Sequence, residues 1–270
     1  MTAAASQLFI AQPSISLAIS EMEEYYGVKL FDRISRKLYL TENGRRALQY
    51  ARHIIELLDE MEQGVRDVDA MGRLKVGTSI TIGTYLLPGY IKRLKQQYPA
   101  LKVEASIANS ETIEQQILDN EIDVGIIEGV AHSHFILSES FAGDRLAFIC
   151  PAGHEFAGRT LEELAEVRNQ DFILREKGSA GREIFDGILA AQELNVRPIW
   201  QSASNQVILQ GVKAGLGISI LPYFLVRQGI REGELAEFRI KGLALNRKYS
   251  VIYHKNKFLP RSARTLMELC

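Results

Sequence analysis

TAAASQLFIAQPSISLAISEMEEYYGVKLFDRISRKLYLT, residues 2–41, is the stretch whose reading decides the fold. Ala3, Ala4, Ala5 and Leu8 favour a short helix, and Ala11-Gln12-Pro13 interrupts it. Proline is tolerated in the first turn of the next helix, where its missing N–H would go unpaired anyway. From Pro13 the apolar positions Ile15, Ile19, Met22 and Tyr26 recur at spacings of three and four, which predicts a helix with that face buried. The remaining face carries Gln12, Ser14, Ser16 and Ser20, short polar side chains of the kind that meet base edges and phosphate oxygens in a major groove. Gly27 stops this helix. Lys29-Leu30-Phe31 and Leu38-Tyr39-Leu40 then flank a hairpin tip, Asp32–Lys37, whose Arg33, Arg36 and Lys37 are placed to meet a phosphate backbone. Each feature also has a plainer reading: a serine at a helix start caps it, and a basic turn is commonly just solvated.

The ordered pattern is more specific than its parts. AAASQLFIAQPSISLAISEMEEYYGVKLFDR, followed by LTENG, resembles the winged helix-turn-helix of LysR-type transcriptional regulators over residues 3–44. The shared features are an alanine-rich helix, a Q-P-S-hydrophobic-S recognition helix, an M-E-x-x-hydrophobic-G close, LF-x-R and L-T-x-x-G. The resemblance implies that Gln12, Pro13, Ser14, Ser16, Ser20, Arg33, Arg36 and Lys37 contact promoter DNA at an inverted-repeat site. That family places one more helix in front of the alanine-rich one, and the sequence begins without it. The winged helix-turn-helix is therefore read as truncated, and Leu8, Ile15 and Ile19 are expected to lose part of their cover.

Thr41 is a good N-cap, and residues 42–70 contain no proline. Leu48, Ala51, Ile55, Leu58, Met61, Val65 and Val68 step by threes and fours, a narrow apolar seam flanked by charge. The seam fits either a second copy of the chain or its own next domain. The resemblance implies dimerisation through this linker helix, in a homodimer or homotetramer. The chain carries a formal net charge of −1, so a DNA contact must rest on local charge. Between Lys29 and Arg52 the basic residues Lys29, Arg33, Arg36, Lys37, Arg45, Arg46 and Arg52 face only Asp32 and Glu42, which makes this end locally basic.

After Met71-Gly72 the pattern changes to short apolar strands alternating with helices. Leu74–Ser79, Val103–Ile107 and Ile122–Ile127 read as strands, with helices at Tyr85–Tyr98 and Glu111–Asn120. A second set follows: Leu146–Cys150, a helix near Leu161–Glu166, Phe172–Leu174, helices at Arg182–Ala191 and Gln206–Ala214, and strands at Arg197–Trp200, Gly217–Leu221 and Tyr249–Tyr253. Such alternation predicts β-α-β crossovers and a mostly parallel sheet in an α/β fold. A final helix, Pro260–Leu269, is expected to return to the first half. GTSITIGTYLLP, DVGIIEG and QGVKAGLGISILP resemble the effector-binding domain of the same family, which has a periplasmic-binding-protein-like architecture of two α/β subdomains. The expected domains are 1–41 (reader), 42–70 (linker) and 71–270 (effector domain), the last with subdomain I at about 73–144 plus 255–270 and subdomain II at about 145–254.

In such folds ligands sit beyond the carboxyl ends of strands, where helix N-termini point inward. That rule selects Ser79, Thr81, Asn109, Ser110, Glu128, Arg175, Ser179, Arg182, Ser204, Asn205 and Ser219. Hydroxyls, backbone amides and arginines suit a small-molecule effector that is a small anion or carboxylate. Glu128 argues instead for a ligand carrying an amine, and serines or asparagines at helix starts are also caps.

The bounds are broad but useful. At 270 residues, with 46% hydrophobic and 24% charged residues, the chain fits two or three compact units. Its longest apolar runs, such as Gly215–Pro222, fall well short of a membrane span, and no secretory leader opens it. Cys150 and Cys270 lack metal or redox spacing and point to a reducing cytosol, so a cytoplasmic location is expected. No phosphate-loop, zinc-protease, C-x-x-C or G-x-S-x-G motif occurs, so neither enzyme nor cofactor is expected. His132 and His134 read as a solvated loop rather than a metal pair, and Cys150 as a buried thiol. Three functions compete: an effector-responsive transcription factor, a small-solute binding or sequestering protein with an inert reader, and an α/β enzyme using the cleft. DNA affinity, ligand binding without DNA affinity, and substrate turnover discriminate among them.

Overall fold

The computed structural model describes residues 2–34, 37–66 and 72–270. The chain divides into two compact units, Met1–Val68 and Asp69–Cys270. Among the described residues, no helix is long and apolar enough to cross a membrane.

The first unit contains α1 (Thr2–Gln7), α2 (Gln12–Tyr26), a hairpin of β1 (Phe31–Ile34) and β2 (Lys37–Leu40), and α3 (Glu42–Arg66). Pro13 lies in the first turn of α2, and Gly27 ends it at φ 65°, its N–H reaching the Glu23 and Glu24 carbonyls. Glycine adopts that left-handed conformation without steric cost. The Glu23 carboxylate accepts from Lys29 Nζ at 2.6 Å and from the backbone amides of Leu30 (2.8 Å) and Phe31 (3.1 Å), tying the helix end to the wing. The Lys29 bond, then the two amides, pull this carboxyl from 4.5 down to about 2. Thr41 Oγ1 accepts the Gly44 N–H at 2.9 Å and donates to the Lys29 carbonyl at 2.6 Å, so it caps α3 and anchors the wing. Gly44 lies so close to the backbone just before β1 that a Cβ there would overlap the Leu30 carbonyl oxygen.

The expected buried face of α2 needs correction, for no residue of that helix is fully buried. Ile15 and Ile19 are half-buried, while Met22 is 42% and Tyr26 61% exposed. The reason is lack of cover: Ala5 and Leu30 are the only buried hydrophobic side chains among the described residues of this unit, and Leu8, Phe9 and Leu17 are exposed. Leu48, Ile55, Leu58 and Met61 are exposed along α3, with Ala51 half-buried. Arg36, Val68 and the side chains of Arg33, Lys37 and Val65 lie outside the described residues.

The second unit has two lobes. The first holds β3 (Arg73–Ser79), α4 (Ile80–Tyr85), α5 (Leu87–Gln97), β4 (Lys102–Ala108), α6 (Ser110–Leu118) and β5 (Val124–Glu128). Strand β6 (Ile136–Pro151) then runs out of it. The second lobe holds β7 (Thr160–Leu161), a 3-10 turn (Leu164–Val167), β8 (Phe172–Arg175), α7 (Ala180–Ala191), β9 (Pro198–Ser202), α8 (Asn205–Lys213), β10 (Ser219–Pro222), α9 (Tyr223–Arg231) and β11 (Leu235–Ile240). Strand β12 (Asn246–His254) carries the chain back, and α10 (Arg261–Leu269) packs on α5, with Arg93 donating to the Leu269 carbonyl at 2.6 Å.

The main sheet has the order β4-β3-β5-β12-β6-β11-β7, with β10 also paired to β6, and β8–β9 form a separate pair. Only part of it is parallel. β3 pairs parallel with β4 and β5, but β12 runs antiparallel to β5 and β6, and β6 antiparallel to β10 and β11. The mostly parallel expectation fails because β6 and β12 pass between lobes side by side, without the crossover helix a parallel pair needs. A bulge interrupts their pairing: Tyr249 opposes Ala142 and Ser250 opposes Ser140, leaving Phe141 over. Other differences are local. Pro88 starts α5 afresh, splitting the expected helix; Thr160–Leu161 pairs as strand; α9 and β11 were not anticipated.

Each lobe has its own core. Leu74, Val76, Val124 and Ile126 pack with Leu87, Leu94 and Leu266 in the first. In the second, Phe148 lies 5.3 Å from Phe238 and 5.8 Å from Phe185, which lies 5.3 Å from Phe172. Apolar burial of this kind is what holds each lobe together.

Candidate functional site

Four strand ends meet between the lobes. β3 ends at Ser79, β4 at Ala108 just before Asn109 and Ser110 open α6, β5 at Glu128, and β8 at Arg175 before the turn into α7. They enclose a cavity of about 10 Å³, lined among others by Ser79, Asn109, Ser110, Glu128, Arg175, Ser179, Asn205 and Arg247. That is about the room of one water molecule, so the cleft is closed. A neighbouring groove of about 380 Å³ shares Ile80, Asn205 and Leu221 with it and also takes in Ser204.

Most polar groups around the cavity are already engaged. Asn109 Oδ1 accepts the Thr112 N–H at 2.9 Å and Ser204 Oγ accepts the Val207 N–H at 3.4 Å, so both cap their helices. The Ser110 hydroxyl donates to the Glu128 carbonyl and that of Ser179 to the Glu176 carbonyl. Arg175 forks onto Glu176 at 2.8 and 3.0 Å and donates to Asn205 Oδ1 at 2.9 Å. Arg247, its side chain 3% exposed, forks onto Asp144 at 2.6 and 2.8 Å. Glu128 Oε1 lies 3.5 Å from Arg247 Nη2, an ion-pair contact without a hydrogen bond. Two buried atoms of the lining are left without hydrogen-bond partners: Ser79 Oγ and Glu128 Oε1. Buried polar atoms are normally satisfied, so such exceptions call for an explanation.

Four of the expected residues do not line the cavity, Ser204 lining only the neighbouring groove. Thr81 is buried within α4. Arg182 turns back to Asp186, the Arg175 carbonyl and Gln201. Ser219 donates to the Ile173 carbonyl at 2.6 Å. Conversely, Arg247 and Asp144 gave no signal in the sequence, because neither follows a strand end or belongs to a motif.

The lobes are also tied at the rim. His132, expected in a solvated loop, bridges them instead: Nδ1 lies 3.1 Å from Glu114 Oε2 on α6, and Nε2 lies 2.6 Å from Glu183 Oε1 on α7. The Glu111 amide donates to the Gly178 carbonyl at 3.1 Å, and the Tyr85 and Phe224 rings meet edge to face at 5.2 Å. Gly129, at φ +87°, lies against α7, and a Cβ there would stand 3.0 Å from that of Ala180. Glu183 first, then Glu114, raises the His132 imidazole above its ordinary 6.5. A raised pKa in the closed form means that the bridge contributes fully below the ordinary value and is lost as pH rises through the raised one. The distance between labels on α6 and α7 is therefore expected to grow as the pH is raised from below the ordinary imidazole value into the alkaline range. Glu183→Gln should remove most of that response, and an unchanging distance in the parent chain would refute the bridge's role.

Among the described residues, no three His, Cys, Asp or Glu side chains gather as a metal site. Cys150 is buried, and desolvation pushes its thiol up to about 11. In the first unit, Gln12, Pro13, Ser14 and Ser20 are exposed and Ser16 is half-buried, with Gln12 Nε2 donating to Ser16 Oγ at 2.7 Å.

Comparison with known proteins gives a consistent result. Residues 1–45 match the model of the bacterial regulatory helix-turn-helix protein, lysR family, and residues 69–270 that of the LysR substrate binding domain. The HTH-type transcriptional regulator YeiE of Escherichia coli K12 is 34% identical, over 100% of this chain and 91% of its own length. The HTH-type transcriptional regulator CysL of Bacillus subtilis 168 is 30% identical, over 93% of this chain and 85% of its own. The regulatory domain of Synechocystis PCC6803 CcmR, solved in complex with 2-PG, superposes with a TM-score of 0.66 at 26% identity, covering 73% of this chain and 97% of that one.

Proposed function

Because the chain belongs to the LysR family of transcriptional regulators, whose DNA binding answers to a small-molecule effector, we propose a specific division of labour among its residues. Gln12, Pro13, Ser14, Ser16 and Ser20 present the base-reading face of α2, and Arg33, Arg36 and Lys37 supply phosphate contacts from the wing. Phosphate contacts set position and affinity, whereas the short polar side chains of α2 set sequence preference. Leu48, Ala51, Ile55, Leu58, Met61 and Val65 pair two copies. Leu48, Ile55, Leu58 and Met61, left exposed on a single chain, support that reading.

The effector binds in the cleft between Ser79, Asn109, Ser110 and Glu128 on one side and Arg175, Ser179 and Asn205 on the other. The observation that carries this reading is Ser79 Oγ, buried and without a hydrogen-bond partner beside a cavity the size of one water. A ligand larger than water enters only if the lobes separate, so occupancy selects among lobe positions and with them the DNA-binding state.

The test is a titration of fluorescent duplex carrying an inverted repeat. Replacing Pro13, Ser14 and Ser16 together by Ala is expected to weaken specific binding about 100-fold, as loss of one or two good base contacts would. Effector-domain melting should stay unchanged. Bound stoichiometry should be two chains per inverted repeat. Unaltered DNA affinity in the triple variant would refute the assignment of α2.

A further inference from the structure

We propose that the effector of this cleft is a small zwitterion, a short α-amino acid, held with its ammonium on Glu128 and its carboxylate on the N-terminus of α7. This rests on the reading of the cleft as the effector site and specifies its chemistry.

Two guanidinium groups at the cavity, Arg175 and Arg247, are set against three carboxylates, Glu176, Asp144 and Glu128, so one negative charge is in excess. Arg247 forks onto Asp144 through Nε and Nη2, and Arg175 forks onto Glu176 through Nε and Nη2. Glu128 is the one of the three that its guanidinium does not hydrogen-bond. Its residue is 5% exposed, and its Oε1 has no hydrogen bond, with Arg247 Nη2 3.5 Å away as its nearest ionic partner. A buried charge in that position is stabilised by a cation brought to it, and an ammonium supplies both the charge and a donor.

The opposite end of the ligand is set by helix geometry. The first intrahelical bond of the 12-residue α7 runs from the Glu183 N–H to the Ser179 carbonyl. The amides of Ala180, Gly181 and Arg182 therefore have no acceptor in their own helix. Ala180 and Gly181 line the cavity. Amides in that position, with the positive end of the helix dipole, favour an anion. The serines that would compete for it are engaged: Ser110 and Ser179 both donate to carbonyls. Gly129, the residue after Glu128, stands against Ala180. The seat for a cation and the seat for an anion are thus neighbours, which suits charges separated by one carbon. Ser79 Oγ, unpartnered and 1% exposed, supplies a third hydrogen bond.

Size points the same way. A closed cavity of about 10 Å³ requires the lobes to part for any ligand, and the separation required grows with the ligand. Glycine, L-alanine and L-serine are therefore the probes, each paired with the anion in which hydroxyl replaces the amine: glycolate, L-lactate and L-glycerate. Calorimetric titration of the full chain is expected to show at least one amino acid binding about 100-fold more tightly than its amine-free partner, as expected when a buried charged group is left unpaired. Glu128→Gln should collapse that preference to a few-fold while retaining the parent's melting temperature. Ser79→Ala should weaken both members of a pair and keep the preference. If the amine-free anion binds as tightly as its amino acid, or if none of the three amino acids binds, the proposal is overturned. The two readings fail separately. An amine-free anion that binds and shifts DNA affinity leaves the regulator reading intact, whereas an amino acid that binds without altering DNA affinity removes the gating and keeps the zwitterion.

Discussion

Arg247→Met is expected to lower the stability of the effector unit by about 3–5 kcal/mol, because it removes the cation from a buried cluster and leaves Asp144 and Glu128 without it. Arg247 forks onto Asp144 at 2.6 and 2.8 Å and is the ionic neighbour of Glu128 at 3.5 Å. Methionine matches the length of the stem but supplies neither charge nor donors. For a unit of this size the loss corresponds to a fall in Tm of about 10 °C by scanning calorimetry. A fall of less than about 2 °C would mean that water reaches the cluster and that its charges are screened. The loss should be confined to the second unit, because Arg247 belongs to its central strands.

The second large effect belongs to the reader. Gly44→Val should abolish DNA binding while leaving the melting of the effector unit unchanged. A side chain at position 44 would run into the Leu30 carbonyl and approach the Leu40 side chain, so either α3 or the wing must shift. Overpacking against backbone costs about 1–3 kcal/mol or more, a serious loss in a unit with so few buried side chains. Thr41, Lys29 and Glu23 converge on the same joint through the Thr41 cap and the Glu23 bonds to the wing. Retention of DNA affinity by the valine variant would show that this joint does not set the wing's position.

The reader was legible in sequence because its determinants are local. Gly27, Thr41 and Gly44 each meet a backbone requirement created by residues fewer than twenty positions away, so a motif records them. The strand-end rule was informative for the cleft to a lesser degree. It drew attention to Ser79, Asn109, Ser110, Glu128, Arg175, Ser179 and Asn205, all of which line the cavity. It does not say which way a side chain turns, and so it also drew in Arg182, which folds back on its own helix, and Ser219, which faces the Ile173 carbonyl. Arg247 and the His132 bridge were invisible for a different reason. Their partners come from other strands or from the opposite lobe, and charge pairing at long sequence separation leaves no periodic trace. The buried face of α2 was overestimated because spacing reports which residues could share a core, and cover depends on what packs there.

Two neighbouring strands, β6 and β12, join the lobes, and they are hydrogen-bonded to each other with Phe141 as the extra residue between them. A two-ply ribbon of that kind bends far more readily across its face than it shears or stretches along its length. The ring of Phe141, 6.2 Å from Tyr249 and 6.5 Å from Tyr90, rests on the first lobe beside the soft point. The lobes are thus joined through a narrow ribbon with an irregularity at its first-lobe end, where a change in the angle between them meets least resistance from backbone pairing.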